Sequence, residues 1–545
     1  MSAPTPRRGP VWWHLLAVVA LGALYESLFL EHSNGELFDE GWPLSVAMQL
    51  QAGGQLYREA FFTFPPGHAW PAWIAWSLDP PGVVLARTLY GAFNVALVGA
   101  MYLLGCRLMP ARFAFAGAIA LAIAAPHSHL GHLLFGYRYL VFSVAALLAL
   151  ARALDQSSTR WLFISGLWTG LALVFRLSPA FAVACGVAAA LWATGPTWEQ
   201  RLRNSGVYAL GVLCLGLPLL AWLALGAGLE TGWRETVVRV MGLQGLQSLP
   251  VPSILLPDWS DRGAVHSWFV GLQYWGYTGL YAGYATVLFV GALRGRTHAL
   301  LLAVVVWGGV FLLRTLGRSD DHHLNSALPP AILLLSHALS LVFGRLWRQR
   351  PAVSPAIRSR VEIAACMALL VAWGFVQGLD RHFSPLTRGL VPIRAAAGAA
   401  AAKPAVEALE LERLVGVIQQ STDPDDRILD LSASPLLYAL SGRRSVGEFD
   451  VIMPGTFLDA SEEARFVTRL EKDPPALVIW PGWPFDSDRN RGIQKTAPLL
   501  SGWALQHYAP RDPRSQSHRF VILVPRGTGD NPPLGSSQQA DPAPH

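Results

Sequence analysis

The chain has 545 residues, of which 52% are hydrophobic and only 14% are charged, and its mean hydropathy is +0.35. Soluble domains carry about 25% charged residues, so this composition excludes an ordinary soluble protein and predicts an α-helical polytopic membrane protein. Lysine and arginine outnumber aspartate and glutamate by 42 to 36. Because the basic residues cluster in short connections between apolar segments, this excess indicates membrane orientation rather than a nucleic-acid partner.

Apolar segments follow one another from residue 11 to about residue 380. Runs of about 17–23 apolar residues are typical of membrane helices. We predict eleven helices, at residues 11–31, 82–105, 113–126, 138–154, 160–176, 178–194, 205–226, 272–293, 298–315, 324–344 and 361–379. With the N-terminus inside, every predicted cytoplasmic connection carries at least two arginines, as the positive-inside rule expects. The long loops at 32–81 and 227–271, and everything after about residue 380, are then predicted to lie outside.

The tail from about residue 403 to 526 has a different character, with more acidic residues and alternating helix and strand signals. Helices are expected at 405–420, 434–441 and 460–472, and strands at 427–431, 476–480 and 520–524. This alternation predicts a small α/β domain, which we expect to fold apart from the membrane region. The predicted divisions are a membrane-embedded domain at 1–380, a linker at 381–402, the extracytoplasmic α/β domain at 403–526, and a disordered tail at 527–545.

A short acidic loop at residues 38–42, Phe-Asp-Glu-Gly-Trp, directly follows the first apolar segment. A proline and an apolar pattern continue from it to Leu50, which predicts a short helix lying in the membrane interface. Two adjacent carboxylates in an outer loop are most often solvated surface groups. Just above a membrane and among aromatic residues, however, a carboxylate can act as general base toward a hydroxyl. Asp39 and Glu40 are therefore candidate catalytic residues.

A second polar loop, at residues 318–323, joins two predicted membrane helices on the same outer face. It begins at Arg318 and ends with two histidines, and cations at head-group level suit a lipid phosphate. The alternative is a polar hairpin that only holds two helix ends. Aspartate and histidine also allow a divalent metal site, but no further ligands at fixed spacing support one.

Arginines near the predicted outer helix ends form a third set of candidates. Arg87, Arg138 and Arg176 either extend individually to the membrane interface or converge into an anion pocket. Glu26, inside the first predicted helix, is a candidate ion-pair partner for one of these arginines.

Together these motifs resemble those of a known family. An apolar anchor followed by Asp-Glu-Gly at 39–41, Leu-Tyr-Arg-Glu at 56–59 and Pro-Pro-Gly at 65–67 resembles the membrane-embedded GT-C glycosyltransferases. The bacterial relatives of protein O-mannosyltransferases and of the lipid A aminoarabinose transferase, a group similar to glycosyltransferase family 39, are the most similar. The resemblance covers about residues 11–380 and includes the split helix pair with Arg176 at its turn, where a lysine is common.

The resemblance implies a GT-C-like fold and transfer of a sugar, with inversion, from a polyprenyl-phosphate donor on the outer face of the cytoplasmic membrane. It places the catalytic base at Asp39, with Glu40 assisting or orienting it, and a substrate loop at Tyr57 and Arg58. The departing phosphate needs fixed positive charge. The candidate phosphate ligands are Arg138, Arg176, Arg318, His322 and His323. The paired histidines depart from the lysine or tyrosine that some members place there.

Expected partners are a polyprenyl-phosphate-linked sugar, membrane lipid and an acceptor that is a protein, a lipid or a glycan, with no nucleic acid. No cofactor is expected, because a lipid-linked donor needs no nucleotide-binding loop. The alternatives are a transporter or flippase of lipid-linked sugars, and a non-catalytic scaffold. Transporters tend to show internal repeats and helices interrupted near the membrane midplane. Here the polar clusters lie at one face, which favours a multi-pass inner-membrane enzyme with an extracytoplasmic active site.

Overall fold

The computed structural model describes most of the chain. The described residues are 10–30, 37–80, 82–124, 136–296, 298–320, 323–324, 327–350, 353–376, 390–395, 398–511, 517 and 519–527. Two features predicted from the sequence fall outside them: the phosphate-ligand candidate His322, and residues 528–545, which make up nearly all of the predicted disordered tail.

The part of the chain before residue 377 is mainly helical. Its helices are α1 (Trp12–Phe29), α2 (Gly41–Gln51), α3 (Trp70–Leu78), α4 (Val83–Leu108), α5 (Ala111–Ala124), α6 (Leu140–Gln156), α7 (Thr159–Phe175), α8 (Leu177–Thr194), α9 (Trp198–Leu225), α10 (Leu229–Trp233), α11 (Arg239–Leu246), α12 (Arg262–Leu293), α13 (Ala299–Thr315), α14 (Leu328–Gln349) and α15 (Pro355–Val376). A short π-helix, Arg234–Val238, joins α10 to α11. Each of the eleven predicted apolar segments overlaps one of these helices, so their helical structure is confirmed.

Several of these helices have the length and composition of membrane spans. Among the described residues, α4, α8, α9 and α14 are both long and apolar enough to cross a membrane, and α5, α7 and α13 are shorter apolar helices. Leu210, Leu213 and Leu217 on α9 are exposed, at the spacing of one helix face. An apolar face of this kind suits contact with lipid. The protein is thus a helical membrane protein, whereas the total of eleven spans stays a prediction.

Close packing of α8 against α13 brings together the helix ends that carry Arg176 and Arg314. A Cβ atom on Gly186 of α8 would lie 2.5 Å from the carbonyl oxygen of Ala303 on α13. Only glycine permits this approach, and small residues are the usual means by which membrane helices pack closely. The contact places Arg176, just before α8, at the same end of the helical region as Arg314, in the last turn of α13.

The C-terminal part is an α/β unit. It contains a hairpin of β1 (Leu390–Ala395) and β2 (Gly398–Pro404), and a sheet of β3 (Arg427–Asp430), β4 (Arg444–Ser445), β5 (Leu477–Pro481), β6 (Tyr508–Pro510) and β7 (Phe520–Pro525). The sheet order is β4-β3-β5-β7-β6, with β3 parallel to β4 and β5, and β7 antiparallel to β5 and β6. The helices are α16 (Ala405–Ser421), α17 (Leu436–Ser441), α18 (Ala460–Lys472), α19 (Ile493–Thr496) and α20 (Pro498–His507).

The predicted elements of this region are confirmed: the three helices and three strands expected between residues 405 and 524 occur within two residues of their predicted starts. Several elements were not predicted: β4, β6, α19, α20 and the hairpin of β1 and β2. The hairpin of β1 and β2 lies largely inside the predicted linker at 381–402, and Ile393 of β1 is fully buried. An Ala-rich stretch has little strand propensity, so its pairing depends on the partner strand rather than on its own sequence.

The helical region and the α/β unit share their hydrophobic cores. Leu44 of α2 packs in one cluster with Leu436 of α17 and Ile428 of β3. Trp42, at the start of α2, belongs to a second cluster with Phe466 of α18. The expectation that the α/β unit folds apart from the membrane region stays a prediction, and one argument against it is that α2 and the loops around it supply part of the core of this unit.

The position of α2 corrects one expectation. The sequence predicts a short helix with one face in the membrane interface. In the structure every residue from Gly41 to Gln49 is buried by protein, between α3 on one side and α17 and β4 on the other. The helix itself is confirmed, but it connects the membrane region to the α/β unit and has no long lipid-facing surface.

Candidate active site

The acidic loop is held in place by a buried ion pair. Glu40 is fully buried, and its two carboxylate oxygens accept hydrogen bonds from Arg87 on α4, Nε at 2.6 Å and Nη2 at 2.8 Å. Arg87 also donates from Nη1 to the carbonyl oxygen of Leu30, at 2.8 Å. A bidentate pair of this type has fixed geometry as well as balanced charge. Glu40 therefore fixes the loop against α4 and the end of α1, in an orienting role.

The glycine of the loop is required by the approach of the α/β unit. Leu436 donates its backbone N–H to the carbonyl oxygen of Leu37, at 2.9 Å. A Cβ atom on Gly41 would lie 2.7 Å from the carbonyl carbon of Pro435. The start of α17 thus lies directly against the acidic loop, and any larger residue at Gly41 would force the two apart.

Asp39 faces a pair of arginines. Its side chain is partly exposed, unlike that of Glu40. The charge of Arg176 is attracted by Asp39 and repelled by Arg314, so the three side chains belong to the same region of the structure. The Arg176 guanidinium is buried and lies 4.2 Å above the ring of Phe64. Two cations held near each other and near one carboxylate form a site that favours an anion beside a general base.

Arg314 is the residue of this group that was not among the candidates from the sequence. It lies in the last turn of α13, inside a segment that reads as an ordinary apolar helix ending in a basic residue. An arginine at such a position commonly extends to the membrane interface. The one available signal was that its helix end lies on the same predicted outer face as Arg176.

The second polar loop is connected by ion pairs to the α/β unit. Arg318 lies 2.8 Å from Asp320 and 3.0 Å from Asp486, which follows β5. The Nδ1 atom of His323 lies 2.7 Å from the other carboxylate oxygen of Asp320. Burial opposes ionisation of Asp320, but hydrogen bonds from His323 and Arg318 outweigh it and hold the pKa of Asp320 below its usual range. Burial lowers the pKa of His323 in spite of that contact.

The segment after β5 also covers the acidic loop. The ring of Phe485 lies 5.9 Å from that of Phe38, and Arg491 pairs with Asp486 at 2.5 Å. The polar hairpin and the acidic loop are thus both in contact with one short stretch of the α/β unit. Arg318 therefore holds the polar loop against the α/β unit, in addition to any role in binding phosphate.

The remaining candidates lie in the walls around this group. Arg138 is buried, and its charge attracts that of Glu26. The expected ion pair of Glu26 with one of the outer arginines stays a prediction. Tyr57 is buried and donates its hydroxyl to the carbonyl oxygen of Phe64, at 2.6 Å. Tyr57 therefore supports the ring on which Arg176 lies. Arg58 is exposed and donates to the carbonyl oxygen of Ala227, at 3.3 Å.

Metal binding needs several ligating side chains close together. In the described part of the chain, no group of three or more His, Cys, Asp or Glu residues is arranged to hold a metal ion.

Comparison with known proteins gives matches to both the sequence and the fold. Residues 64–222 match the family model described as dolichyl-phosphate-mannose-protein mannosyltransferase. No curated protein sequence matches this chain. The structure is similar to that of ArnT from Cupriavidus metallidurans bound to undecaprenyl phosphate, with a TM-score of 0.56, 14% identity, and coverage of 95% of this chain and 99% of that one. The chain has the GT-C fold.

A second solved structure extends the comparison. The archaeal oligosaccharyltransferase AglB from Archaeoglobus fulgidus, in complex with an inhibitory peptide and a dolichol-phosphate, aligns with a TM-score of 0.52 and 12% identity. The alignment covers 96% of this chain and 75% of AglB. The resemblance to GT-C glycosyltransferases expected from the sequence is thus confirmed for the fold, including the α/β unit that follows the membrane helices.

Proposed function

We propose that this protein is a glycosyltransferase that moves a hexosyl or pentosyl group from a polyprenyl-phosphate donor to a hydroxyl of an acceptor. The observation that carries the proposal is the placement of Asp39, Arg176 and Arg314 in one region, at one end of a GT-C fold. The description of the matched family names a dolichyl-phosphate sugar, and the ArnT structure holds undecaprenyl phosphate. A lipid-linked phosphate donor is the substrate class common to both.

The proposed reaction is a single in-line displacement. The acceptor hydroxyl attacks the anomeric carbon while Asp39 takes its proton, and the bond from that carbon to the phosphate oxygen breaks. The lipid phosphate leaves as an anion beside Arg176 and Arg314, whose charges stabilise it without reorganisation. Since base and leaving group are on opposite sides of the carbon, the product has inverted configuration. Glu40 holds Asp39 in place through its pair with Arg87.

The proposed location is the cytoplasmic membrane, with the active site and the α/β unit on its outer face. Support comes from the arginines in the short connections at the opposite ends of the helices, which fit the positive-inside rule. The acceptor is a protein, a lipid or a glycan that is available on that face.

The test is a transfer assay with the purified full chain in nanodiscs. Radiolabelled polyprenyl-phosphate sugars are supplied together with cell-envelope acceptor fractions, and the product is analysed for a new glycosidic bond of inverted configuration. Mass analysis of envelope glycans and glycoproteins from cells with and without the protein identifies the acceptor. Movement of the intact lipid-linked sugar between leaflets with no new glycosidic bond would instead indicate a transporter.

A further inference from the structure

A cavity of about 770 Å³ lies at the end of the helical region opposite to Asp39. α8 and α13 each have one end at the candidate active site, beside Arg176 and Arg314, and their other ends, at Thr194 and Ala299, line this cavity. Each helix is about 26 Å long at its usual rise per residue, close to the thickness of a bilayer's hydrocarbon core. The cavity therefore belongs to the other membrane surface and is separate from the site of sugar transfer.

Basic side chains dominate the charge of the cavity wall. Arg107 pairs with Asp155 there, which leaves the charge of Arg203 in excess. Arg203 and His298 are exposed, so both are accessible to a ligand from solvent or membrane. His337 lines the cavity from α14, with its Nδ1 2.8 Å from the Tyr284 hydroxyl. The wall has two arginines against one aspartate, and its two histidines can donate hydrogen bonds. This balance favours an anion.

Helix starts add to this positive potential. α7, α9 and α13 all begin in the wall of the cavity. Ala299, Leu300 and Leu301 form the first turn of α13, where backbone N–H groups have no acceptor within their own helix. The N-cap residues of α7 and α13, Ser158 and His298, do not cap them with their side chains. Such helix starts carry a partial positive charge and are well suited to phosphate groups.

The rest of the wall combines polar side chains with leucines, and the leucines bear on what kind of anion fits. Leu108, Leu154, Leu162 and Leu191 line the cavity from α4, α6, α7 and α8. Leu108 and Leu154 are partly exposed, so a small inorganic anion would leave them in contact with water, whereas a phosphate attached to a hydrocarbon chain would cover them. The ligand class indicated by the wall is therefore a lipid phosphate.

We propose that this cavity is a second lipid-phosphate site, on the membrane surface opposite to the site of transfer. The phosphate is held by Arg203, His298 and the first turn of α13, and the hydrocarbon chain lies against the leucines. Two lipids share this chemistry: a polyprenyl phosphate, and an anionic phospholipid such as phosphatidylglycerol. The proposal does not depend on the proposed transferase activity, because it involves none of the residues around Asp39.

Native mass spectrometry of the purified full chain in detergent tests the proposal. The probes are undecaprenyl phosphate, phosphatidylglycerol and inorganic phosphate, each added alone. The test variant is Arg203→Gln combined with His298→Ala, and the control is Arg160→Gln, which removes the same charge from an exposed arginine near the start of α7 outside the cavity wall. Charged hydrogen bonds are worth enough that we expect lipid retention at this site to fall at least about tenfold in the test variant only.

A second variant, Thr194→Phe, fills the cavity without removing charge and should give the same loss. Arg176→Gln, at the other membrane surface, should leave this binding unchanged, which separates the cavity from the donor site. Because the proposed donor site also binds polyprenyl phosphate, the readout is the number of lipids bound. One fewer bound undecaprenyl phosphate or phosphatidylglycerol in both cavity variants supports the proposal and tells which lipid the cavity takes. Equal retention by wild type and cavity variants, or binding of inorganic phosphate but of neither lipid, overturns it. If the wild-type protein binds lipid in the cavity but transfers no sugar, the proposed function is refuted and the proposal of a second lipid site stands.

Discussion

At the scale of single residues, two adjacent carboxylates have different environments and therefore different tasks. Both oxygens of Glu40 are held by Arg87 in a fully buried pair. For Glu40 to take a proton from a substrate, its pair with Arg87 would have to break. A buried charge would then be left uncompensated. Asp39 is partly exposed and faces Arg176. Its carboxylate is accessible to an acceptor hydroxyl, so we propose the base role for Asp39 rather than for Glu40.

The substitution Asp39→Asn tests this assignment. Asparagine keeps the shape of the side chain but cannot accept a proton at working pH, so turnover should fall by about 10²–10⁴-fold. Donor affinity should change little, because the arginines remain. The measurement is sugar transfer at saturating polyprenyl-phosphate donor, with Asp79→Asn, an exposed carboxylate after α3, as control. Near-normal turnover in Asp39→Asn would remove this residue from the base role.

A second residue-scale prediction concerns Arg314. If it helps hold the donor phosphate beside Arg176, Arg314→Gln should weaken donor binding by about tenfold, the usual effect of losing one charged hydrogen bond. The readout is the dissociation constant for a polyprenyl-phosphate sugar, measured with the Asp39→Asn protein so that no turnover occurs. Arg465→Gln, an exposed position on α18, is the matched control. Unchanged affinity would mean that Arg314 only balances charge at the helix end.

At the scale of elements, the contact between α2 and β4 contains a buried polar network. Gln49 of α2 donates to the Ser445 hydroxyl at 2.5 Å, and that hydroxyl donates to a carboxylate oxygen of Asp450. Burial raises the pKa of Asp450 to about 6, although hydrogen bonds from Ser445 and neighbouring side chains oppose this shift. The contact that joins the acidic loop's helix to the α/β unit is therefore sensitive to pH.

The pH dependence has a definite sign. Because the folded state holds the proton of Asp450 more tightly than the unfolded chain does, this group's contribution to stability falls as pH rises from about 4 to about 6. Asp450→Asn imitates the protonated form. It should raise the free energy of unfolding by roughly 1–3 kcal/mol at pH 7 relative to wild type, with a smaller gain at pH 5.

The measurement is the thermal unfolding midpoint of purified protein in detergent across this pH range. The control is Asp425→Asn, at an exposed carboxylate before β3. A midpoint difference between Asp450→Asn and wild type that does not vary with pH would contradict the assignment of this titration to Asp450.

At the scale of the whole molecule, the α/β unit depends on the membrane region for part of its core. Trp42 and Val46 from α2 are buried in the cluster that contains Phe449 and Phe466. Arg239, in α11, is fully buried and pairs with Glu462 at 2.8 Å. Separating the two regions would expose the apolar side chains and leave this carboxylate without its cation.

We therefore expect residues 403–526 expressed alone to lack a cooperative thermal transition. The physical reason is that burial of α2 removes apolar surface that the fragment would otherwise expose to water. The measurement is circular dichroism during heating, and the fragment Gly41–Gln51 supplied as a peptide is the complementary test. A soluble fragment that melts cooperatively by itself would show that the shared clusters are not needed for folding.

The positions of the active site and of the cavity at opposite ends of the helices also predict how the protein is oriented in the membrane. The connections rich in arginine lie at the cavity end, which is expected to be cytoplasmic. Reporter fusions at Arg203 and at Ala405 should therefore report opposite compartments. If both report the cytoplasm, the eleven-span topology and the outer location of the α/β unit are wrong.

The sequence by itself determined the long apolar helices, α2, three helices and three of the seven strands of the C-terminal part, and the acidic loop at 39–41. These features follow from local signals: apolar runs of membrane length, the alternation of the tail, and a short motif within about thirty residues. The resemblance to GT-C glycosyltransferases depends on the same local motifs, and the fold bears it out.

Only the tertiary structure decided which side chains meet. The pairing of Glu40 with Arg87, the approach of Arg314 to Arg176 and the contact of Arg318 with the α/β unit each join residues far apart in the chain. They depend on which helix ends lie side by side, and close contacts such as that of α8 with α13 set this. One apolar helix resembles another in sequence, so the choice of neighbour follows from packing of the whole molecule.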